Sequence, residues 1–338
     1  MPDVKRRTLI TTAAAAIPLL AMPAISTRAA ARFVYKYGNN LPLSHPLNIR
    51  SHEAAERIKT ASNGELEIRI FPNNQLGGDT DMLSQVRSGA LDFFTPSALV
   101  IATLVPAAPI NAVGFAFPSY KEVWAAMDGD LGAFIRAAIE KVGLHMLEKV
   151  WDNGFRQITT GSHPINTPQD LAGLKIRVPV SPLGISLFEA LSASPTSLQF
   201  SEVYTALQTH VVDAQENPLP IVQTAKLYEV QKYASVTNHM WDGFLFIASG
   251  KTWYKLPTEL RDLAARELNN SGVQQREDIA RLNDSVQTDL QARGMVFNQP
   301  DPAPFRAMLR KAGFYAQWKE KFGADVWGLL EKYVGQLG

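Results

Sequence analysis

Two arginines and one asparagine carry the chemistry that this chain of 338 residues can do. Arg156 sits in the stretch DNGFRQ and Arg177 in GLKIRVP, each among apolar neighbours and each read as lying at a strand–loop junction. Asn217 follows Gln215 and Glu216 and precedes Pro218. A guanidinium matches a carboxylate with two parallel N–H donors, and a neighbouring carboxamide adds a further donor. The three residues together form a carboxylate-binding pattern. The alternative for each is structural: a salt-bridged Arg or a turn-forming Asn.

The elements that position these residues run from Leu174 to Pro220. Lys175 to Pro179 predicts a short strand. Its alternation puts Ile176 and Val178 on one face and Arg177 on the other. Ser181 and Pro182 are a cap and first-turn pair, and Leu183, Leu187 and Leu191 give the following helix an apolar stripe. A second helix is expected near Ser201, with Val203 and Leu207 inward. Val211 to Gln215 is expected as a strand that Pro218 and Pro220 end. In an open α/β sheet, ligands sit outside the carboxyl ends of the strands, so Arg177 and Asn217 are expected to converge on one crevice.

Other chemistries find little support. There is no cysteine, which excludes thiol nucleophiles, disulfides and thiolate metal sites. GxSxG, GxxxxGK[ST] and GxGxxG are absent, and the histidines show no HExxH spacing. His45 and His52 share a helix face but lack a third ligand, so no metal site is expected. Gly77-Gly78 before a helix reads better as a turn than as an anion cradle. Asp128 and Asp130 read as a solvated helix break. No catalytic residue and no cofactor is assigned.

The formal net charge of +1 comes from the N-terminus, where Lys5, Arg6, Arg7 and Arg28 face only Asp3. Residues 32–338 carry 29 basic and 31 acidic residues, a net of −2. That balance gives no electrostatic footprint for nucleic acid. Lys5-Arg6-Arg7 followed by an apolar run to Ile25 and by Ala29-Ala30-Ala31 predicts a cleaved export leader of the twin-Arg type over residues 1–31. The run is roughly 17 residues long and holds Pro18 and Pro23, too short and broken for a membrane span. The expected location is the periplasm.

Along the rest of the chain, strands are expected at Phe33–Tyr37, Leu66–Ile70 and Leu91–Thr95, with helices from Pro46 and Asp79 between them. This is a parallel-sheet pattern. Ser119 to Glu122 forms a capping box. Leu144 to Trp151 reads as a strand, and Val236 to Phe246 follows the Leu174 to Pro220 stretch with Trp241-Asp242-Gly243 inside it. Pro257 to Arg293 is helical throughout, which suits a helix lying across two domains. Length and composition allow two domains, and the lack of a low-complexity linker makes them intimately connected lobes.

The motifs GLKIRVP (173–179), EVYTALQTHVVDAQENP (202–218) and Asn238-His239 resemble the solute-binding subunit of TRAP transporters, the DctP-like family. LSHP (43–46), NGELEIRIFPNNQLGGD (63–79) and SGALD (88–92) extend the resemblance from about residue 32 to the C-terminus. It implies an α/β fold of the periplasmic-binding-protein type, with two lobes closing on a ligand and a long helix spanning both. The expected lobes are 32–154 with 243–282, and 155–242 with 283–338. The resemblance also implies that Arg177 holds the ligand carboxylate, that Arg156 and Asn217 assist, and that Phe200 packs on the ligand. Trp241 and Ser97 are expected to line the pocket.

The segment VGFAFPSY (113–120) departs from the family pattern, and WDNGF (151–155) and MWDGF (240–244) add aromatics. These tilt the expected ligand toward an aromatic or a 2-oxo or 2-hydroxy monocarboxylate, unless Trp151 and Trp241 are core residues. Membrane permease subunits are the implied partner of a monomeric binding protein. The competing functions are the ligand-binding protein of a sensory system, which docks on a receptor, and an exported enzyme acting on an organic acid.

The leader makes a direct prediction. Replacing Arg6 and Arg7 with Lys is expected to leave unprocessed precursor in the cytoplasm, read by cell fractionation and immunoblot. Unchanged export would assign the chain to the general secretory route.

Overall fold

The computed structural model describes residues 31–338. The leader expected at 1–31 therefore lies almost wholly outside the described residues. Parallel-strand pairing builds the first half. Strand β1 (Phe33–Gly38) leads to helix α1 (Pro46–Ala61), strand β2 (Leu66–Phe71), helix α2 (Asp79–Ser88) and the two-residue strand β3 (Phe93–Phe94). Pro46 opens α1 after His45, whose ring accepts from the Leu47 N–H at 3.2 Å. Short helix α3 (Ala98–Ile101), α4 (Tyr120–Met127) and α5 (Asp130–Glu140) follow, with Ser119 capping α4 as its sequence predicts.

Strand β4 (Leu144–Met146) ends before the expected Trp151, and a separate ten-residue strand, β5 (Trp151–Thr160), begins there. The chain then forms β6 (Lys175–Val178), α6 (Pro182–Ala190), β7 (Ser194–Ser197), α7 (Val203–Gln208), β8 (Ala214–Asn217) and α8 (Leu219–Thr224). Long strand β9 (Tyr233–Phe244) and short β10 (Ile247–Ser249) follow. After them come α9 (Gly250–Trp253), the 35-residue helix α10 (Thr258–Ala292), β11 (Val296–Asn298), α11 (Pro302–Lys311), α12 (Phe314–Phe322) and α13 (Ala324–Val334).

Two sheets result. The first has the order β2-β1-β3-β10-β4, parallel among β1, β2 and β3 and antiparallel at β10. The second has the order β11-β9-β5-β8-β6-β7, with β6, β7 and β8 parallel. The chain crosses between sheets at β4–β5 and at β9–β10. Helix α10 ties them together. Its Leu260, Ala264 and Leu268 enter the core beneath the first sheet, and its Val286 and Leu290 enter the core beneath the second. Arg50 and Arg57 of α1 pair with Asp278 and Glu267 along it. At the C-terminus, α11 and α12 pack against α6, and α13 packs against α4 and α5.

The junction is held by backbone satisfaction as much as by apolar packing. A register shift at Asp152–Gly154 bulges β5 away from β9. Gly154 has φ +121°, and a Cβ there would lie 3.1 Å from Pro218 Cβ, so the bulge needs glycine. The Gln275 carboxamide of α10 closes the gap in the ladder. It accepts from the Asp152 N–H and donates to the Asp152 carbonyl, both at 2.7 Å. Gly272, one turn earlier, makes room for the Trp151 indole, which a Cβ would approach to 2.7 Å.

Replacing Gln275 with Leu keeps the volume but leaves a buried donor and a buried acceptor unpaired. Each costs about 1–3 kcal/mol, so unfolding by urea is expected to show a loss of about 2–5 kcal/mol. A loss below about 0.5 kcal/mol would show that this pair does not hold the junction.

Candidate ligand-binding site

The carboxyl ends of both sets of parallel strands face one cavity of about 20 Å³. From the first sheet come Asn40 and Leu41 after β1, Asp79 after β2, and Ser97 and Val100 after β3. From the second come Arg177 and Pro179 at β6, Phe200 after β7 and Asn217 at the end of β8. This is the open-sheet rule applied twice, once from each side. Asn153, Arg156, Ile221 and Phe244 complete the wall. Roughly 10–15 Å³ holds one water, so the sheets lie closed on each other.

Arg156 does not sit at a strand–loop junction. It lies inside β5, opposite Met240 of β9. It is 2% exposed and fully committed. Its Nε and Nη2 grip the Glu216 carboxylate, Nη2 also donates to the Glu216 carbonyl at 2.7 Å, and Nη1 reaches Asp242 at 3.3 Å. Burial opposes the Glu216 charge, but Arg156 and His239 outweigh it and hold that carboxyl at about 2. Asn217 accepts from Arg156 at 3.2 Å and donates to Gln215 at 2.7 Å.

Arg177 is equally buried but differently partnered. Its Nε and Nη2 donate to the Leu198 carbonyl at 3.0 and 2.7 Å, and among the described residues it makes no ion pair with a carboxylate. Burial pushes its guanidinium down to about 10, with Glu216 and Asp79 only partly compensating. The Phe200 ring lies 6.0 Å from its guanidinium carbon, within cation–π reach. One side of this cation is open to the cavity.

Ser97 lines the cavity, caps α3 by accepting from Leu99, and donates to the Asp242 carboxylate. Trp241 does not line it. Strand alternation turns its side chain away from the Asp242 face, and its ring meets Phe117 and Trp124 edge-on. Its indole donates to Asp152 at 3.0 Å. Trp151 is likewise core, beside Phe246. Phe200 and Phe244 are the cavity's aromatics among the described residues.

The sequence reading missed Asn40, Asp79 and Asn153. Asn40 and Asp79 follow strands of the first sheet and were within reach of the carboxyl-end rule, whereas Asn153 stood in an expected loop. The two other sequence candidates resolve plainly. His45 is a buried cap and His52 is exposed. The N–H of Gly78 and that of Asp79 are bound by Asp81 and Gln199. A wider surface groove of about 570 Å³ near Arg50 and Asp278 offers no open charge at that pair, because Arg50 is paired with Asp278 and Glu53.

The profile of the family described as "Bacterial extracellular solute-binding protein, family 7", or DctP, matches residues 37–320. The chain belongs to this family. Its relatives include the 2,3-diketo-L-gulonate-binding periplasmic protein of Escherichia coli strain K12, 32% identical over 265 residues, or 78% of this chain and 80% of that one. The crystal structure of the sugar acid binding protein of Advenella mimigardefordensis strain DPN7T in complex with galactonate superposes with a TM-score of 0.86 at 28% identity. The match covers 91% of this chain and 100% of that one. A TRAP periplasmic solute binding protein from Ralstonia eutropha H16, with bound (S)-2-acetolactate, gives 0.84 at 28% identity over 89% and 98%. The fold is thus the two-lobed fold of TRAP solute-binding proteins, which are periplasmic. As a family member this chain is an organic-acid-binding transport protein, not an enzyme.

Gln199 ties the lobes in a way that the family motifs do not specify. Gly78, at the head of α2, has no side chain to cap the helix, and Gln199 of the opposite lobe does so. Its Oε1 accepts from the Asp79 N–H at 3.1 Å and its Nε2 donates to Thr80 Oγ1 at 2.6 Å. Each such bond contributes about 0.5–1.5 kcal/mol net. Gln199→Ala is expected to weaken ligand binding roughly five- to thirtyfold and to enlarge the radius of gyration of the ligand-free protein in X-ray scattering. An unchanged radius and affinity would show that closure does not use this contact.

Proposed function

We propose that this chain captures a small organic monocarboxylate in the periplasm and hands it to the membrane permease subunits of a TRAP transporter, acting as a monomer after its leader is removed. The observation that carries the reading is Arg177: a buried guanidinium, open on one side to the cavity, with no carboxylate paired to it among the described residues. A ligand carboxylate supplies the missing charge, and closure dries the site so that the attraction counts for more. Asn217 and the Arg156 cluster flank that position.

The expected ligand had an aromatic or a 2-oxo/2-hydroxy tail. The tryptophans that argued for a ring pack in the core, which favours an aliphatic 2-oxo or 2-hydroxy acid. In this reading the lobes are 32–154 with 243–282 and 155–242 with 283–338, with α13 bridging back to the first. They part by a hinge at β5 and β9 to admit the ligand.

Truncating one member of a desolvated charge pair costs roughly 2–5 kcal/mol. Arg177→Ala is therefore expected to weaken carboxylate binding about thirty- to several-thousand-fold. Arg177→Lys keeps the charge but loses the planar fork and is expected to fall between. Calorimetric titration of folded variants, with an acid chosen by thermal-shift screening, decides the matter. Binding within about threefold of wild type for Arg177→Ala would make this residue structural.

A further inference from the structure

The polar groups around the cavity are sorted by kind. The donor side is Arg177, beside an Arg156 whose hydrogens are spent on Glu216, Asp242 and Asn217. On the wall formed by the first sheet and the junction, buried carboxylates consume the available hydrogens. Asp242, fully buried, accepts from the Ser97 hydroxyl, from Asn153 Nδ2 at 2.9 Å and from Arg156 Nη1 at 3.3 Å. Asp79, 4% exposed, accepts from Asn40 Nδ2 at 2.8 Å.

These bonds fix both asparagines. With the NH₂ group turned to a carboxylate, each must point its carbonyl oxygen the other way. The Oδ1 atoms of Asn40 and Asn153 are buried and have no donor partner among the described residues, and both residues line the cavity. Asn153 is 1% exposed. The Ser97 hydroxyl has already spent its hydrogen on Asp242. This wall therefore offers acceptors that lack donors.

Resting on the carboxylate reading above, we propose that the ligand is a hydroxylated monocarboxylate whose hydroxyl hydrogens pair with Asn153 and Asn40, and that 2-oxo acids of the same skeleton are selected against. A hydroxyl supplies the donor that these oxygens lack. A ketone brings a second acceptor, leaves the buried oxygens unpaired and sets like dipoles against each other. The carboxylate end chooses organic acids, and the opposite end chooses their oxidation state.

The test uses matched acids: 2-hydroxybutanoate with 2-oxobutanoate, glycerate with 3-hydroxy-2-oxopropanoate, and 2-hydroxy-3-methylbutanoate with 3-methyl-2-oxobutanoate, each hydroxy acid as both enantiomers. Full-length mature protein is titrated calorimetrically with each. In every pair that binds, the preferred enantiomer of the hydroxy acid is expected to bind at least about tenfold tighter. Asn153→Ala and Asn40→Ala are each expected to shrink that ratio by at least about threefold. A merely structural role would weaken both acids together and leave the ratio unchanged, which would overturn the assignment. Oxo acids binding as well as hydroxy acids would overturn the proposal while leaving the carboxylate reading intact. If no acid binds, the carboxylate reading falls and this inference with it.

Discussion

The arrangement turns on a positive charge buried without a negative one. Two guanidiniums lie in the same cleft, each 2% exposed. Arg156 is neutralised by Glu216 and Asp242, and its four side-chain and backbone contacts leave it little freedom. Among the described residues, Arg177 is hydrogen-bonded only to one carbonyl, from two of its nitrogens. Burying an ion is tolerable when a partner compensates it and costly when none does. The folded protein therefore carries a cost at Arg177 that an anion removes. The neighbouring cluster keeps the site from collapsing: Glu216, the nearest strong carboxylate, is fixed to Arg156 and His239 and does not turn to Arg177.

Holding that cost in place requires a stiff frame. The frame is the β5–β9 ladder, which carries Arg156 on one strand and Asp242 on the other and crosses between the lobes. Where the ladder breaks at its bulge, Gln275 of α10 restores the missing bonds. The long helix is thus both a spacer between two cores and a third participant in the sheet. Asp152, at the same bulge, is raised to about 7 by burial, against hydrogen bonds from Trp241 and Tyr120. The aromatic cluster around Trp241 therefore serves the junction and not the ligand.

The sequence made the regular parts legible. Period-3.6 patterns placed α1, α2 and α10 closely, and the Ser181-Pro182 signal placed the start of α6 to the residue. It failed where polar residues are buried by one another. The expected strand Val211–Gln215 formed three residues later, at Ala214–Asn217, and Val211 is 57% exposed. Hydropathy ends the strand at Gln215, although Gln215, Glu216 and Asn217 all belong to it. They are a buried strand because Arg156 and Thr159 receive their side chains. Arg156 was misread for the same reason, since its partners lie 60 residues or more away. Asn40 and Asp79 show a different limit. Both follow strands of the first sheet, but the sequence reading applies the carboxyl-end rule to the Arg177 and Asn217 strands alone, and Asp79 reads as a helix cap.

The closed geometry also constrains how a ligand is accommodated. A cavity of about 20 Å³ is at the scale of a water or two, far below the few hundred Å³ of typical small-molecule pockets. An organic acid therefore needs the cavity walls to retreat from one another. Gln199 sits where that retreat is felt, because it joins the chain segment after β7 to the head of α2. Any widening of the cavity that moves the head of α2 therefore acts on the Gln199 bonds to Asp79 and Thr80.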